Sequence, residues 1–109
     1  MEIALVISKV DTTFACLSTN AAIAQCGAIP VWVDVTSQTV EIDVSDLVSK
    51  LTDRTRAVIL YHVAGYPAPA QEIAAICYQR GIALIEDCDN ALFAYRDGVH
   101  VGSHGDFAV

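Results

Sequence analysis

The amino-acid sequence predicts an α/β fold in which strands and helices alternate and the sheet is mostly parallel. An apolar run at residues 82–85 follows Gly81 and ends in two carboxylates, Glu86 and Asp87, which is typical of a strand buried on both faces. Apolar residues within 44–51 repeat at i, i+3, i+4 and i+7, the spacing of one helical face. No linker interrupts this alternation, so parallel strands with right-handed crossovers are expected.

The other elements follow from apolar runs and from residues that begin or end helices. Further strands are expected at residues 3–7, 30–35, 57–61 and, at the end of the chain, 107–109. Three helices are expected: one capped by Ser18 or Thr19 and ended by Gly27, one capped by Asp43, and one from Pro69 to Gly81. Asp97-Gly98, between residues 91–96 and 99–101, predicts an antiparallel hairpin.

Composition and charge restrict the class of protein. The 109 residues are 54% hydrophobic and 17% charged, so apolar surface is expected to be buried in an oligomer interface or against further parts of a larger protein. The net charge of −7 disfavours nucleic acid and anionic membranes as partners. No continuous apolar span and no secretion signal is visible, so we expect a cytoplasmic protein with reduced cysteines.

Polar and aromatic groups are expected to gather where the parallel strands end. The carboxyl ends of parallel strands lie on one edge of the sheet, and ligands of open α/β sheets bind there. Four segments would contribute to this edge, namely residues 11–14, Asp34, His62 and Asp87. A cofactor site at this edge is therefore expected.

Several short motifs occur in the order and spacing of one family. They are Thr13-Phe14, the segment 27–34, Ile42-Asp43, the segment 55–59, His62 with Gly65, Glu86-Asp87 and the segment 101–106. With these residues the sequence resembles the DegT/DnrJ/StrS-type sugar aminotransferases, which use pyridoxal phosphate on the aspartate aminotransferase fold. The resemblance implies that residues 1–109 are a partial cofactor-binding (large) domain of a longer enzyme.

The resemblance also implies roles for four residues. Asp87 would pair with the pyridine nitrogen of pyridoxal phosphate, although a cap on the turn after the strand is the alternative. Asn90 stands where the family usually has Gln or His near the ring hydroxyl, a departure that leaves its role open. Phe14 would stack on the ring or belong to the core, and His62 would line the cofactor pocket or satisfy a turn.

The resemblance further implies an activity that this chain alone should lack. The intact enzyme would be a cytoplasmic homodimer that transfers an amino group from an amino-acid donor to a keto sugar on a nucleotide. The lysine that forms the Schiff base has no match, since Lys9 and Lys50 lie elsewhere, so the chain by itself is expected to be inactive. A truncated, non-catalytic interaction module and the dehydratase branch of the family are the alternatives.

Other chemistry is less well supported by the sequence. No metal is expected, because four possible ligands match no compact zinc spacing: Cys88, His100, His104 and Asp106. A nucleophilic Cys88 paired with His62 has no supporting motif. A flavodoxin-like nucleotide binder would need a phosphate-binding loop after the first strand, and residues 8–14 contain no glycine.

Overall fold

A five-stranded parallel sheet forms the centre of the computed structural model, which describes residues 2–6 and 17–109. Its strands lie in the order β2-β1-β3-β4-β7, and every neighbouring pair is parallel. They are β1 (Glu2–Val6), β2 (Ile29–Val33), β3 (Thr55–Tyr61), β4 (Ala83–Asp87) and β7 (Phe107–Ala108). A separate antiparallel pair consists of β5 (Tyr95–Arg96) and β6 (Val99–His100). The predicted α/β class with a mostly parallel sheet is confirmed.

Within the described residues, three α-helices cover the two faces of the sheet: α1 (Leu17–Gln25), α2 (Val44–Lys50) and α3 (Ala70–Arg80). The chain passes from β1 to β2 on one side of β1, and from β2 to β3 and then β4 on the other. Because crossovers are right-handed, this reversal places α1 on one face and the other two helices on the opposite face. We call these the α1 face and the α2–α3 face.

Alternation along the strands divides the core between the two faces. Ala57 and Ile59 of β3 pack with Ile23 of α1 on the α1 face. Val58 and Leu60 belong to the larger cluster on the α2–α3 face, together with these buried residues: Leu47, Ile73, Cys77 and Leu84. Odd-numbered residues of β3 and β4 therefore face α1, and even-numbered residues face α2 and α3.

The ends of α2 and α3 are as the sequence predicts. The Asp43 carboxylate accepts hydrogen bonds from the Ser45 hydroxyl and from the backbone N–H groups of Asp46 and Ser45, and these bonds lower the pKa of Asp43. Gly81 follows α3 with φ of 64°, the left-handed conformation that glycine adopts without strain.

The start of α1 differs from the prediction. Ser18 and Thr19 lie inside the helix, which begins at Leu17, so the prediction that one of them is the N-cap is wrong. A hydroxyl inside the first turn, unlike one at the N-cap position, does not accept a hydrogen bond from the first N–H groups of the helix. The Thr19 hydroxyl can therefore form a hydrogen bond with a residue of another element.

The hairpin is confirmed, with shorter strands than predicted. Asp97 (φ 53°) and Gly98 (φ 78°) both have the positive φ of a two-residue hairpin turn. Residues 91–94 form turns, because the N–H groups of Ala91 and Ala94 donate to the carbonyls of Cys88 and Ala91.

None of the helices described within residues 17–109 has both the length and the apolar character that crossing a membrane requires.

Candidate functional site

Asp87 is the last residue of β4 and lies at the carboxyl edge of the sheet. Its side chain is on the α1 face, where the Thr19 hydroxyl donates to Oδ2 at 2.9 Å. The backbone N–H of Asp89 donates to Oδ1 at 3.3 Å. Asp87 is only 7% exposed. A carboxylate offers about four acceptor positions, so Asp87 can accept a further donor beyond these two.

Two more polar side chains lie at the same edge. Tyr61, the last residue of β3, is the register partner of Asp87, so the two side chains lie on the same face. The Asn90 side-chain amide donates to the Tyr61 hydroxyl. We call Thr19, Tyr61, Asp87 and Asn90 the edge cluster.

Sequence reasoning identified two members of the edge cluster and missed the other two. Tyr61 could have been found by aligning the ends of the third and fourth strands, because residues that end neighbouring parallel strands share an edge. Nothing in the sequence distinguishes the Thr19 hydroxyl from that of Ser18. Only the placement of α1 over the α1 face selects Thr19.

The structure separates His62 from the edge cluster. His62 follows Tyr61 directly, is fully buried, and its ring is directed toward Glu86, on the α2–α3 face. Its Nδ1 accepts from the backbone N–H of Ala68 at 3.0 Å, and its Nε2 lies 2.9 Å from Glu86 Oε2. Because both ring nitrogens are engaged, this geometry supports the turn-satisfying alternative for His62 and leaves it no free nitrogen for a ligand.

Two other residues that the sequence placed at the carboxyl edge are Phe14 and Asp34. Phe14 lies outside the described residues, together with the rest of the loop at 11–14. The Asp34 carboxylate accepts the neighbouring N–H of Val35, and the Asp34 backbone N–H donates to Asp46 Oδ2 at 2.7 Å. Asp34 therefore ties the end of β2 to α2.

A buried trio has the residue types of a metal site: the ligand atoms of His62, Glu86 and Cys88 lie within 4.8 Å of one another. Burial, together with the negative charges of Glu86 and Asp87, raises the pKa of Cys88 to about 11. With this pKa the Cys88 thiol is protonated at neutral pH in the absence of a metal ion, so Cys88 is not an activated nucleophile. Within the trio, the His62 ring contacts the Glu86 carboxylate and the Cys88 thiol donates to the Glu86 carbonyl oxygen at 3.8 Å.

The fold and the edge cluster together define a parallel α/β domain with a carboxylate at the carboxyl edge of its sheet. A family model described as the DegT/DnrJ/EryC1/StrS aminotransferase family matches residues 2–109. The chain belongs to this family, and the resemblance seen in the sequence is confirmed.

Individual relatives agree with this assignment. GDP-perosamine synthase of Vibrio cholerae is 33% identical over 97 residues, which are 89% of this chain and 26% of that protein. UDP-N-acetyl-3-dehydro-α-D-glucosamine 3-aminotransferase of Acidithiobacillus ferrooxidans is 37% identical over 86% of this chain and 26% of its own length. The crystal structure of the aminotransferase TlmJ from Streptoalloteichus hindustanus superimposes with a TM-score of 0.83 at 33% identity, over 96% of this chain and 27% of that one. The chain thus spans about a quarter of the length of these relatives.

Proposed function

We propose that this chain is part of the cofactor-binding domain of a pyridoxal-phosphate-dependent aminotransferase that acts on a keto sugar linked to a nucleotide. An amino acid, glutamate or glutamine in most of the family, would be the amino donor. Family membership and two relatives named for nucleotide-linked sugars support this proposal. The structural observation that carries it is the Asp87 carboxylate at the carboxyl edge, held by Thr19 with acceptor positions left open.

The chemistry of the edge cluster fits pyridoxal phosphate. When bound, this cofactor supplies a pyridine ring that accepts electrons from the substrate once its nitrogen is protonated. Asp87 accepts the N–H of that nitrogen and favours its protonated form, because an adjacent negative charge stabilises a cation. Thr19 fixes the orientation of the carboxylate through its 2.9 Å hydrogen bond.

Asn90 is assigned to the ring hydroxyl and Phe14 to the ring face. The Asn90 amide is exposed, and its contact with Tyr61 holds it at the carboxyl edge of the sheet. This placement offsets in part the shorter reach of Asn compared with Gln. Stacking by Phe14 rests on the family resemblance. His62 is assigned no contact with the cofactor, since both its ring nitrogens are engaged on the other face.

A homodimer is proposed for the intact enzyme, supported by apolar surface near the edge. Large side chains around the hairpin and the turn after β3 are exposed: Tyr66 at 68%, Leu92 at 63%, Phe93 at 86% and Tyr95 at 63%. Exposure of several large apolar side chains is typical of surfaces that are covered by another chain or by further parts of the same protein.

Replacement of Asp87 tests the cofactor assignment. We expect Asp87→Ala to weaken binding of pyridoxamine 5′-phosphate by roughly 10- to 100-fold, which corresponds to the loss of one charge-assisted hydrogen bond. This ligand is chosen because it cannot form a Schiff base with a lysine, so its dissociation constant reports recognition of the ring alone. Isothermal titration calorimetry of the purified protein measures that constant.

Asp53→Ala is the matched control, because Asp53 is exposed in the turn before β3. The control should bind as the wild type does. Equal affinity of Asp87→Ala and the wild type would remove Asp87 from the site. A wild type that binds neither pyridoxamine nor pyridoxal phosphate would instead favour a non-catalytic interaction module.

A further inference from the structure

Glu86 is fully buried, and its carboxylate accepts four hydrogen bonds. Oε2 accepts from the His62 ring at 2.9 Å and from the Gly102 N–H at 2.8 Å. Oε1 accepts from the N–H groups of His104 at 2.8 Å and Gly105 at 2.6 Å. These four donors occupy the acceptor positions of a carboxylate, so Glu86 has no position left for a ligand.

The donors come from parts of the chain that are distant in sequence. His62 follows β3, and the other donors belong to the loop 102–105 that precedes β7. Because Nδ1 of His62 accepts the Ala68 N–H, the ring proton is on Nε2 and points at Glu86. A neutral histidine and three backbone N–H groups thus surround one ionised carboxylate.

The loop is shaped to fit around Glu86. Gly102 has φ of 83°, which L-residues with a side chain rarely adopt. A Cβ on Gly105 would lie 2.7 Å from the Phe107 carbonyl oxygen and 3.2 Å from Cγ of Glu86. Beyond the loop, Asp106 exchanges hydrogen bonds with the backbone of Leu84, each at 2.8 Å. The loop is therefore fastened to β4 at both of its ends.

Glu86 and Asp87 are consecutive residues of β4, so their side chains lie on opposite faces of the sheet. We propose that Glu86 is a positioning residue for Asp87: by holding His62 and the loop 102–105 on one face, it fixes the end of β4 and with it the Asp87 carboxylate on the other face. The part of this inference that concerns Asp87 as a cofactor ligand rests on the proposed function. The part that concerns how Glu86 holds the loop 102–105 is independent of the proposed function.

The charge of Glu86 gives the network a defined pH dependence. Burial acts to raise the pKa of Glu86, but the hydrogen bonds from Gly102, His62, Gly105 and His104 together outweigh it, so its pKa lies below the ordinary 4.5. A carboxyl with a lowered pKa in the folded state stabilises the fold above its unfolded pKa and loses that contribution as the pH falls through its folded pKa. The titratable side chains beside it are those of His62 and Cys88; Asp87 follows Glu86 in β4, and His104 and Asp106 belong to the segment that contacts β4.

Glu86→Gln tests the proposal, with Glu72→Gln as the matched control on an exposed position of α3. The glutamine amide replaces one acceptor oxygen with an N–H₂ group, which faces backbone N–H donors and cannot accept from them. We therefore expect hydrogen exchange of the segment 101–106 to accelerate by about tenfold or more, as for one lost hydrogen bond to a charged group. We also expect pyridoxamine 5′-phosphate to bind about tenfold more weakly to Glu86→Gln, and unchanged values for Glu72→Gln on both measurements.

The pH profile supplies a readout that loss of packing alone would not change. The difference in unfolding free energy between wild type and Glu86→Gln should be largest near neutral pH and shrink as the pH falls below 4.5. A difference that is constant with pH would show that the Glu86 charge is not what holds the loop, and would overturn the proposal.

The remaining outcomes are equally decisive. Unchanged exchange in Glu86→Gln overturns the fastening of the loop, and faster exchange with unchanged affinity overturns the positioning of Asp87. If the wild type binds no pyridoxamine 5′-phosphate, the proposed function fails on its own, and the position of Asp87 is then measured by the NMR chemical shift of its carboxyl carbon instead of by ligand affinity. That chemical shift should change in Glu86→Gln and stay the same in Glu72→Gln. If Glu86→Gln does not fold, His62→Leu, which keeps the Glu86 carboxylate and removes the donor at this position, should show the same changes at a smaller size.

Discussion

Gly105→Ala is expected to destabilise the protein by on the order of 3 kcal/mol, because both overpacking and lost hydrogen bonds contribute. The added Cβ would approach two backbone oxygens, of Phe107 at 2.7 Å and of Leu84 at 3.1 Å. Neither oxygen can move without disturbing the pairing of β4 with β7, since Leu84 accepts a hydrogen bond from Asp106. The loop must shift instead, and the Gly105 N–H is then drawn away from Glu86.

Ser103→Ala is the control for this prediction, because Ser103 is exposed in the same loop. Chemical denaturation of both variants gives the free energies of unfolding. A Gly105→Ala variant as stable as Ser103→Ala would mean that the loop accommodates a side chain at this position, and that its close fit against β4 is not needed for stability.

Leu60→Ala is expected to lower the free energy of unfolding by about 2–5 kcal/mol, the range for removal of a buried leucine side chain. Leu60 lies in β3, between β1 and β4, and it is fully buried on the α2–α3 face. Parallel strands on both sides and helices above leave little freedom for the neighbours to collapse into the cavity. The loss should therefore fall in the upper part of that range.

Leu92→Ala provides the same chemical change at a position that is 63% exposed. Its effect on unfolding should stay within about 0.5 kcal/mol, as for ordinary surface substitutions. If the proposed homodimer uses this surface, Leu92→Ala should weaken self-association, which sedimentation equilibrium measures. Similar losses of stability for both variants would contradict the assignment of Leu60 to the core.

The core variant and the Glu86 variant test two kinds of contribution to the fold. Leu60 and its neighbours in the α2–α3 cluster contribute burial, which is non-directional and tolerates some repacking. Glu86 contributes directed hydrogen bonds within a site from which water is excluded, so its partners must be present in the correct geometry. We therefore expect core variants to change stability and Glu86 variants to change both the loop and the ligand affinity.

The sequence by itself determined the class and order of the elements. Runs of apolar residues, the repeat in α2, the Asp43 cap and the left-handed Gly81 all depend on local spacing and on the intrinsic preferences of the backbone. These local signals are strong enough that tertiary contacts do not override them. The same reasoning placed Asp87 at a strand end, at the carboxyl edge of the sheet.

Only the tertiary structure decided which polar residues share a face. Tyr61 and His62 are neighbours in sequence, but strand alternation sends the first to the edge cluster and the second to Glu86. Thr19 reaches Asp87 because α1 lies over that face, across a sequence separation of 68 residues. Residue types at a strand end are the basis on which a site is predicted there. The register of the strands and the placement of the helices decide which side chains form it, because those depend on contacts between distant segments.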